Sequence, residues 1–519
     1  MEKKSIFIKN ISLFFLFIFV GIMVHYPSFK FSLYGDDWMH IFNYFNRQNV
    51  YSNFGPLPGI LSFLTPYGPS IFMIGHEYEL FGKIYFLYYV VSLFLRIFAT
   101  YSLFMVCQRI TKSLMNSLLT SILFLVGFTG IQTTDWAVFS NIYLALGIYF
   151  LSLFYYAKYY ENGIKKDSLI STFLLVIAMI LAPVRFYPVI VIVPFLDVMI
   201  YLKNEKKKVF GYFLKKNVFF VILVILFWII GVFGAPGKIY SPGDWTTGNF
   251  ISIVNNQPLL IMKSFLYWSG VIIIPDNIVG NHLIIERTGL FILITIFITL
   301  LVSIRRKQLV NVFFVIITVF FLIFLSSIWY YSPTRLIGSP DRYLMVVFGN
   351  FCLLGGIFVS AISKRFRYLK FITLLTLVYL VLLQTRATRS IYAYWLLKGR
   401  DSNFMRKVEK VISPNLAMVK NDQSIIYLDF DDNATLQSVQ FGLGFKMLVF
   451  SNTWNKKYLP VLLNQKLDLL TYINDKVKSG ISKDVIIADT FSYQYKGGNF
   501  IDNTKEVRIQ LKNVVIENK

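Results

Sequence analysis

The sequence predicts an all-α polytopic membrane protein of about eleven transmembrane helices, followed by a small C-terminal α/β or β-rich extracytoplasmic domain. Three observations predict it. Of 519 residues, 56% are hydrophobic and 18% aromatic, well beyond an ordinary soluble chain. Many separate stretches approach the roughly 20 apolar residues that carry a helix across a bilayer. The basic surplus, 51 Lys and Arg against 27 Asp and Glu, gathers in short loops between those stretches.

The chain opens Met1-Glu2-Lys3-Lys4 and runs straight into an apolar segment with no small-residue cleavage site after it. That reads as an uncleaved first span with the N-terminus inside. Spans follow at 8–26, 84–106, 114–131, 136–157, 168–183, 186–202, 217–234, 288–304, 309–329, 342–362 and 369–388. Starting inside, every even-numbered span should end in a cytoplasmic loop, and each one meets a basic cluster. The clusters are Arg109 and Lys112; Lys165 and Lys166; Lys203 to Lys216; Arg305, Arg306 and Lys307; and Lys364, Arg365, Arg367 and Lys370.

Two segments depart from simple crossing. The stretch 249–280 is apolar, but a full crossing there would invert every later loop, so it is expected to be interfacial or re-entrant in the outer leaflet. The fifth and sixth spans meet at Ala182-Pro183-Val184-Arg185-Phe186-Tyr187-Pro188, where two prolines break the helix and leave Arg185 at the outer face.

Beyond residue 400 the composition changes. Residues 401–519 hold 16 Lys and Arg against 13 Asp and Glu, which leaves 35 basic and 14 acidic residues upstream. The net charge of +24 therefore belongs to the membrane part. A basic face on a soluble module, which nucleic-acid binding needs, is not there, so no nucleic-acid partner is expected. In the tail, Ser424–Phe430, Lys446–Phe450, Val485–Asp489 and Val507–Leu511 read as strands, and Leu459–Val477 as a helix. The expected division is a multi-span transmembrane catalytic domain over 1–398, with a first outer loop at 27–83, and a C-terminal extracytoplasmic domain over 399–519. The two cysteines, Cys107 and Cys352, fall in or beside spans and make no disulfide framework.

This topology gathers the titratable groups on the outside: Asp36, Asp37, Glu77, Glu79, Asp135, Asp244, Asp276, Glu286 and Asp341, with His40, His76, His282, Lys83, Lys238, Arg185, Arg287, Arg335 and Arg342. That asymmetry suits an enzyme whose site opens to the outside and whose substrate sits partly in lipid. The first outer loop begins Tyr34-Gly35-Asp36-Asp37-Trp38, and adjacent carboxylates at a membrane edge are costly unless solvated, paired or functional. A short second outer turn holds Asp135, which also reads as a helix-start residue. The last outer loop holds Arg335 and Asp341-Arg342-Tyr343-Leu344. Arg96 lies mid-span and needs buried partners. The three outer histidines lack metal-ligand spacing. Asp429 to Asn433 has neither the Gly nor the distal Glu of a calcium loop and reads as a turn.

An Asp-Asp pair opening the first outer loop, together with Arg342-Tyr343-Leu344 at the start of a late span, resembles the GT-C superfamily of integral-membrane glycosyltransferases. Bacterial protein mannosyltransferases and lipid A aminoarabinose transferases are members. The family pattern of many spans and a C-terminal extracytoplasmic domain is similar over the whole chain. The Pro that often follows Arg-Tyr-Leu is replaced by Met345-Val346-Val347-Phe348, which puts the subfamily in doubt. The resemblance implies inverting transfer of a hexosyl or pentosyl group from a polyprenyl-phosphate donor to an extracytoplasmic glycan, lipid or protein, in the plasma (bacterial inner) membrane, for cell-surface polysaccharide synthesis. It implies an Asp of the first outer loop as general base, with Asp36 the first choice and Asp37 the second, and Asp135 as a further acid. Arg185, Arg335 and Arg342 become candidates for the donor phosphate. No cofactor is assigned, although a divalent cation (Mg or Mn) would be compatible. The alternatives are a polysaccharide polymerase or ligase using lipid-linked sugars, and a multi-span transporter or flippase, which would show midplane charges and inverted repeats.

Overall fold

A computed structural model describes residues 2–46, 67–182, 258–305, 342–363, 367–419, 424–453 and 459–513, with short pieces between 311 and 319. In chain order the elements begin with α1 (Glu2–His25), α2 (Asp36–Phe45), α3 (Gly68–Phe81), α4 (Tyr85–Thr111), α5 (Leu114–Val126) and α6 (Asn141–Asn162). Next come α7 (Lys165–Leu181), α8 (Pro258–Val271), α9 (His282–Arg305), α10 (Leu344–Ser363) and α11 (Arg367–Trp395). The tail holds α12 (Ser402–Ile412), β1 (Ile425–Phe430), α13 (Asn433–Gln440), α14 (Leu443–Phe450) and β2 (Val461–Leu463). It ends with α15 (Lys466–Lys478), α16 (Lys483–Ala488), β3 (Thr490–Lys496), β4 (Asn499–Asp502) and α17 (Thr504–Asn513). The chain divides into two compact units: Met1–Ser28, Asn53–Ser70 and Tyr89–Ile391 form the first, and Phe29–Ser52, Ile71–Tyr88 and Tyr392–Lys519 the second.

Six helical stretches among the described residues are long and apolar enough to cross a bilayer: Ile11–Lys30, Tyr85–Thr111, Ala137–Asn162, His282–Arg305, Leu344–Ala361 and Phe371–Arg400. This is a mostly helical, multi-pass membrane protein. The expected spans at 186–202 and 217–234, and most of 309–329, lie outside the described residues.

In the first unit the expected 114–131 span is cut to the 13 residues of α5. At about 1.5 Å per residue that is roughly 20 Å, short of the ~30 Å hydrocarbon core. The helix starts on Ser113, whose hydroxyl accepts the Asn116 N–H, and stops at Gly127, where the backbone turns to an extended conformation. A Cβ at Gly127 would lie 2.2 Å from the Phe348 ring, so the stop also admits α10. Gly163, at φ +71°, closes α6 in the left-handed conformation that glycine adopts without steric cost, and α7 then returns along it. α8 has 14 residues, and after a turn at Asp276–Val279 the chain continues into α9. The two helices cross where Gly270 and Gly289 remove side chains. Added Cβ atoms would sit 2.0 Å from the Ile285 carbonyl oxygen and 1.8 Å from that of Leu266.

The second unit contains a four-stranded sheet in the order β2-β1-β3-β4. β1 runs parallel to β2 and β3, and β4 closes antiparallel on β3. Alternation along β1 sorts its residues to two faces. Ile426 and Leu428 meet Met405, Val408, Leu436, Val439, Leu443 and Met447 from α12–α14. Ile425 and Tyr427 meet Leu469, Ile473, Ile486, Ile487, Val507 and Leu511 from α15–α17. The unit is α/β rather than β-rich. The strand expected at 424–430 is β1, and the helical pattern at 459–477 becomes β2 followed by α15. The strands expected at 446–450, 485–489 and 507–511 are instead α14, α16 and α17. A short apolar run fits either element, and here helical wrapping lets each run cover one face of the sheet. The Asp429–Asn433 stretch is a turn: the Asp432 carboxylate accepts the Ala434 and Thr435 N–H groups to cap α13 and pairs with Lys398 Nζ at 3.1 Å.

Candidate functional site

The expected site residues fall in both units. Asp36 and Asp37 belong to the second, Asp135 and Arg342 to the first, and Arg185 and Arg335 lie outside the described residues.

In the second unit Gly35 sets the carboxylate turn. Its φ is +53°, and a Cβ would fall 2.1 Å from the Phe441 ring, so the position demands glycine on both grounds. A Cβ at Gly442, itself at φ +81°, would fall 2.6 Å from the Gly35 carbonyl oxygen, so this position also demands glycine. Asp36 and Asp37 then form the first turn of α2, where the helix dipole favours negative charge. The two differ sharply. Asp37 is fully buried, and its carboxylate accepts the Tyr34 N–H at 2.9 Å, closing the turn that presents the pair. Asp36 is half-buried and is the acid that solvent reaches. Behind them α2 is amphipathic: Trp38 meets Phe450 of α14 at 5.3 Å between ring centroids, and Phe42 meets Phe445 at 5.6 Å. The Trp38 indole N–H donates to the Leu33 carbonyl.

α3 crosses α2 at Gly75, where a Cβ would lie 2.1 Å from the Tyr44 ring. Glu77 of the same helix is buried, 6% exposed, with no hydrogen-bond partner for either carboxyl oxygen among the described residues. Burial pushes the Glu77 carboxyl well above its ordinary range, and the negative charge of Asp37 pushes it further. The structure thus sets a carboxyl that keeps its proton close to a carboxylate held by a backbone N–H and a helix N-terminus. On the same helix, His76 Nδ1 lies 3.1 Å from the Tyr44 hydroxyl and 3.0 Å from Glu79.

A second charged group flanks α2 in this unit. Glu409 accepts the Tyr85 hydroxyl at 2.5 Å and lies 3.3 Å from Lys446 Nζ and 3.9 Å from Lys83 Nζ. Lys446 is buried, and burial brings its ammonium down to about 8 despite Glu409. Lys83 keeps 57% of its side chain exposed and caps the Phe450 ring at 3.9 Å. Buried Arg400 lies over the Tyr34 ring at 3.8 Å. Among these, Lys446, Glu409 and Arg400 were not named from sequence, and Glu77 was named on the outer face but given no role. Glu77 carried one signal, an acidic residue within an apolar helical pattern.

In the first unit, Asp135 does not start a helix, as one reading of the sequence had it. It ends the single turn Gln132–Asp135 and is buried. Gly130, at φ +76°, lets this turn approach α10: a Cβ would fall 2.7 Å from the Met345 backbone. Arg342, just before α10, thereby lies against the segment that carries Asp135. Thr133 Oγ1 donates to the Arg342 carbonyl at 3.4 Å, and the Arg342 guanidinium lies 4.1 Å from the Trp136 ring and 4.6 Å from Phe139. Arg96 finds its partners here, and they are neutral. Its guanidinium donates to Thr134 Oγ1, the Tyr143 hydroxyl and the carbonyls of Phe124 and Gly127, at 2.7–3.1 Å.

Among the described residues, no three His, Cys, Asp or Glu side chains gather so as to hold a metal ion.

No family model and no curated protein matches the chain. Its structure is similar to that of ArnT from Cupriavidus metallidurans. Against the apo crystal structure the identity is 11%, 92% of each chain is covered and the TM-score is 0.45. Against ArnT bound to undecaprenyl phosphate the identity is 12%, with 97% of this chain and 96% of the other covered and a TM-score of 0.42.

Proposed function

We propose that this protein is a membrane glycosyltransferase of the GT-C type, moving a sugar from a polyprenyl-phosphate donor to an extracytoplasmic acceptor. The observation that carries the reading is the carboxylate turn: one reachable acid, Asp36, beside a fixed one, Asp37, with a proton-bearing Glu77 close by. Two acids of unlike environment are what acid and base chemistry at neutral pH requires. In the proposed step an acceptor hydroxyl oxygen bonds to the anomeric carbon as the bond from that carbon to the phosphate oxygen breaks. The hydroxyl proton passes to the Asp36 carboxylate, and the lipid phosphate leaves with the bonding pair, inverting the centre. Asp37 holds the turn through the Tyr34 N–H. The exposed ammonium of Lys83 is a cation of this unit suited to a developing phosphate charge. Asp135 and Arg342 remain candidates in their own unit, Arg342 for phosphate and Asp135 as a further acid.

Transport is supported less well. The charge deep in a span, Arg96, donates hydrogen bonds to protein groups and leaves no free midplane cation at that position. The test is Asp36→Asn. Sugar transfer from a synthetic polyprenyl-phosphate sugar should fall about 10²–10⁴-fold, while membrane insertion and thermal stability stay at the wild-type level. Full transfer by that variant would remove the assignment.

A further inference from the structure

The first unit holds a cavity that the proposed chemistry does not use. It has a volume of about 470 Å³ and sits at the far end of α4, with Phe154 and Glu161 of α6 on its other side. Its walls are of two kinds. Tyr101, Phe104, Met105 and Phe154 make an apolar flank, while Gln108, Arg109 and Lys112 make a polar rim. Such a lining matches a molecule with an anionic head and hydrocarbon beside it.

The protein pairs one of these cations and leaves the other open. One Arg109 nitrogen, Nη2, is taken by Glu161, but Nε is buried and has no hydrogen-bond partner among the described residues. Lys112 is exposed and makes no ion pair among the described residues. It is also kept at an unfavourable place. Lys112 ends α4 at φ +57°, with its N–H on the Gln108 carbonyl, in the left-handed position where glycine is the ordinary choice. The chain thus places a cation at the mouth of the cavity where an uncharged glycine would fit the backbone better. The basic loop that holds Arg109 and Lys112 is also the kind that faces the cytoplasm, and the cytoplasmic leaflet is the one with negative surface potential.

We propose that this cavity binds an anionic phospholipid, its phosphate held by Lys112 Nζ beside the Arg109 guanidinium and its acyl region laid along Tyr101, Met105 and Phe154. The ligand is a structural lipid of the inner-facing interface, distinct from any sugar donor, and the proposal does not depend on the transferase reading.

Lys112→Gly is the informative variant, because it removes the charge and relieves the backbone at once. Purified protein is equilibrated with dioleoyl phosphatidylglycerol or dioleoyl phosphatidylcholine, and retained lipid is counted by native mass spectrometry. Wild-type protein should retain the glycerol lipid in preference, and Lys112→Gly should weaken that retention about fivefold while melting no earlier than wild type. Arg109→Gln combined with Glu161→Gln, which removes the ion pair as a unit, should weaken it by a similar factor. Three results would overturn the proposal. They are equal retention of the two lipids, undiminished retention by both variants, and displacement of the lipid by millimolar inorganic phosphate, which would mark a site for soluble anions.

Discussion

Glu77 shows most sharply how one residue is governed by its surroundings. A carboxyl that is buried without a hydrogen-bond partner costs free energy if it ionises, so it holds its proton beyond the pH at which an exposed Glu loses it. The native state then binds more protons than the unfolded chain over that interval, and stability falls as pH rises through it. Glu77→Gln, which imitates the protonated acid, should therefore melt with wild type near pH 4 and above it from roughly pH 5 upward, with the gap widening as pH increases. Thermal melts across that range check this, and a constant gap would mean that Glu77 ionises as an ordinary surface acid. The residue is legible in the sequence only as an acid in an apolar pattern. What buries it is tertiary packing that brings it near Asp37, a residue about forty positions away that no local pattern encodes. Asp36 and Asp37 could be read directly, because charge beside a hydrophobic span is a local signal. Which of the pair turns inward depends on the Tyr34 N–H and on Gly35, and so on the three-dimensional turn.

At the scale of elements, hydropathy carries far. The helices α1, α4, α6, α9, α10 and α11 overlap spans read from sequence, with ends that differ by up to seven residues, because each needs only length and apolarity. The pattern fails where a helix must stop for a reason outside itself. α5 ends early at Gly127 to admit Phe348, although the apolar run continues to Ile131. It fails again in the tail, where four or five apolar residues suit a strand or one face of a helix equally. Glycine positions test this reading of the elements. Gly35 and Gly163 both have positive φ, at +53° and +71°, but only Gly35 has a neighbour within 4 Å of a built Cβ. Gly163→Ala should therefore cost about 1 kcal/mol, the backbone term alone. Gly35→Ala must also displace Phe441 and should cost roughly 2 kcal/mol or more, with loss of sugar transfer because Asp36 moves with the turn. Melting temperature and transfer rate separate the two, and equal stability losses would argue that the Phe441 ring yields freely.

Across the whole molecule, the charge distribution makes one statement about orientation that can be tested without reference to mechanism. Basic loops alternate along the chain, and loop charge sets which end of each span stays in the cytoplasm. By that rule the junction of α6 and α7, with Lys165 and Lys166 at the start of α7, is expected to be cytoplasmic, and the α/β tail beyond residue 400 extracytoplasmic. The two native cysteines do not interfere with a thiol assay, since Cys107 and Cys352 are both buried. Lys478→Cys and Lys166→Cys place a thiol at exposed positions at the end of α15 and the start of α7. In intact cells a membrane-impermeant maleimide should label Lys478→Cys and leave Lys166→Cys untouched until the membrane is permeabilised, with wild type unlabelled throughout. Labelling of Lys166→Cys in intact cells would invert the topology. It would place the tail and the basic loops on the wrong sides for an acceptor outside the cytoplasm, and the carboxylate turn would then need a different substrate.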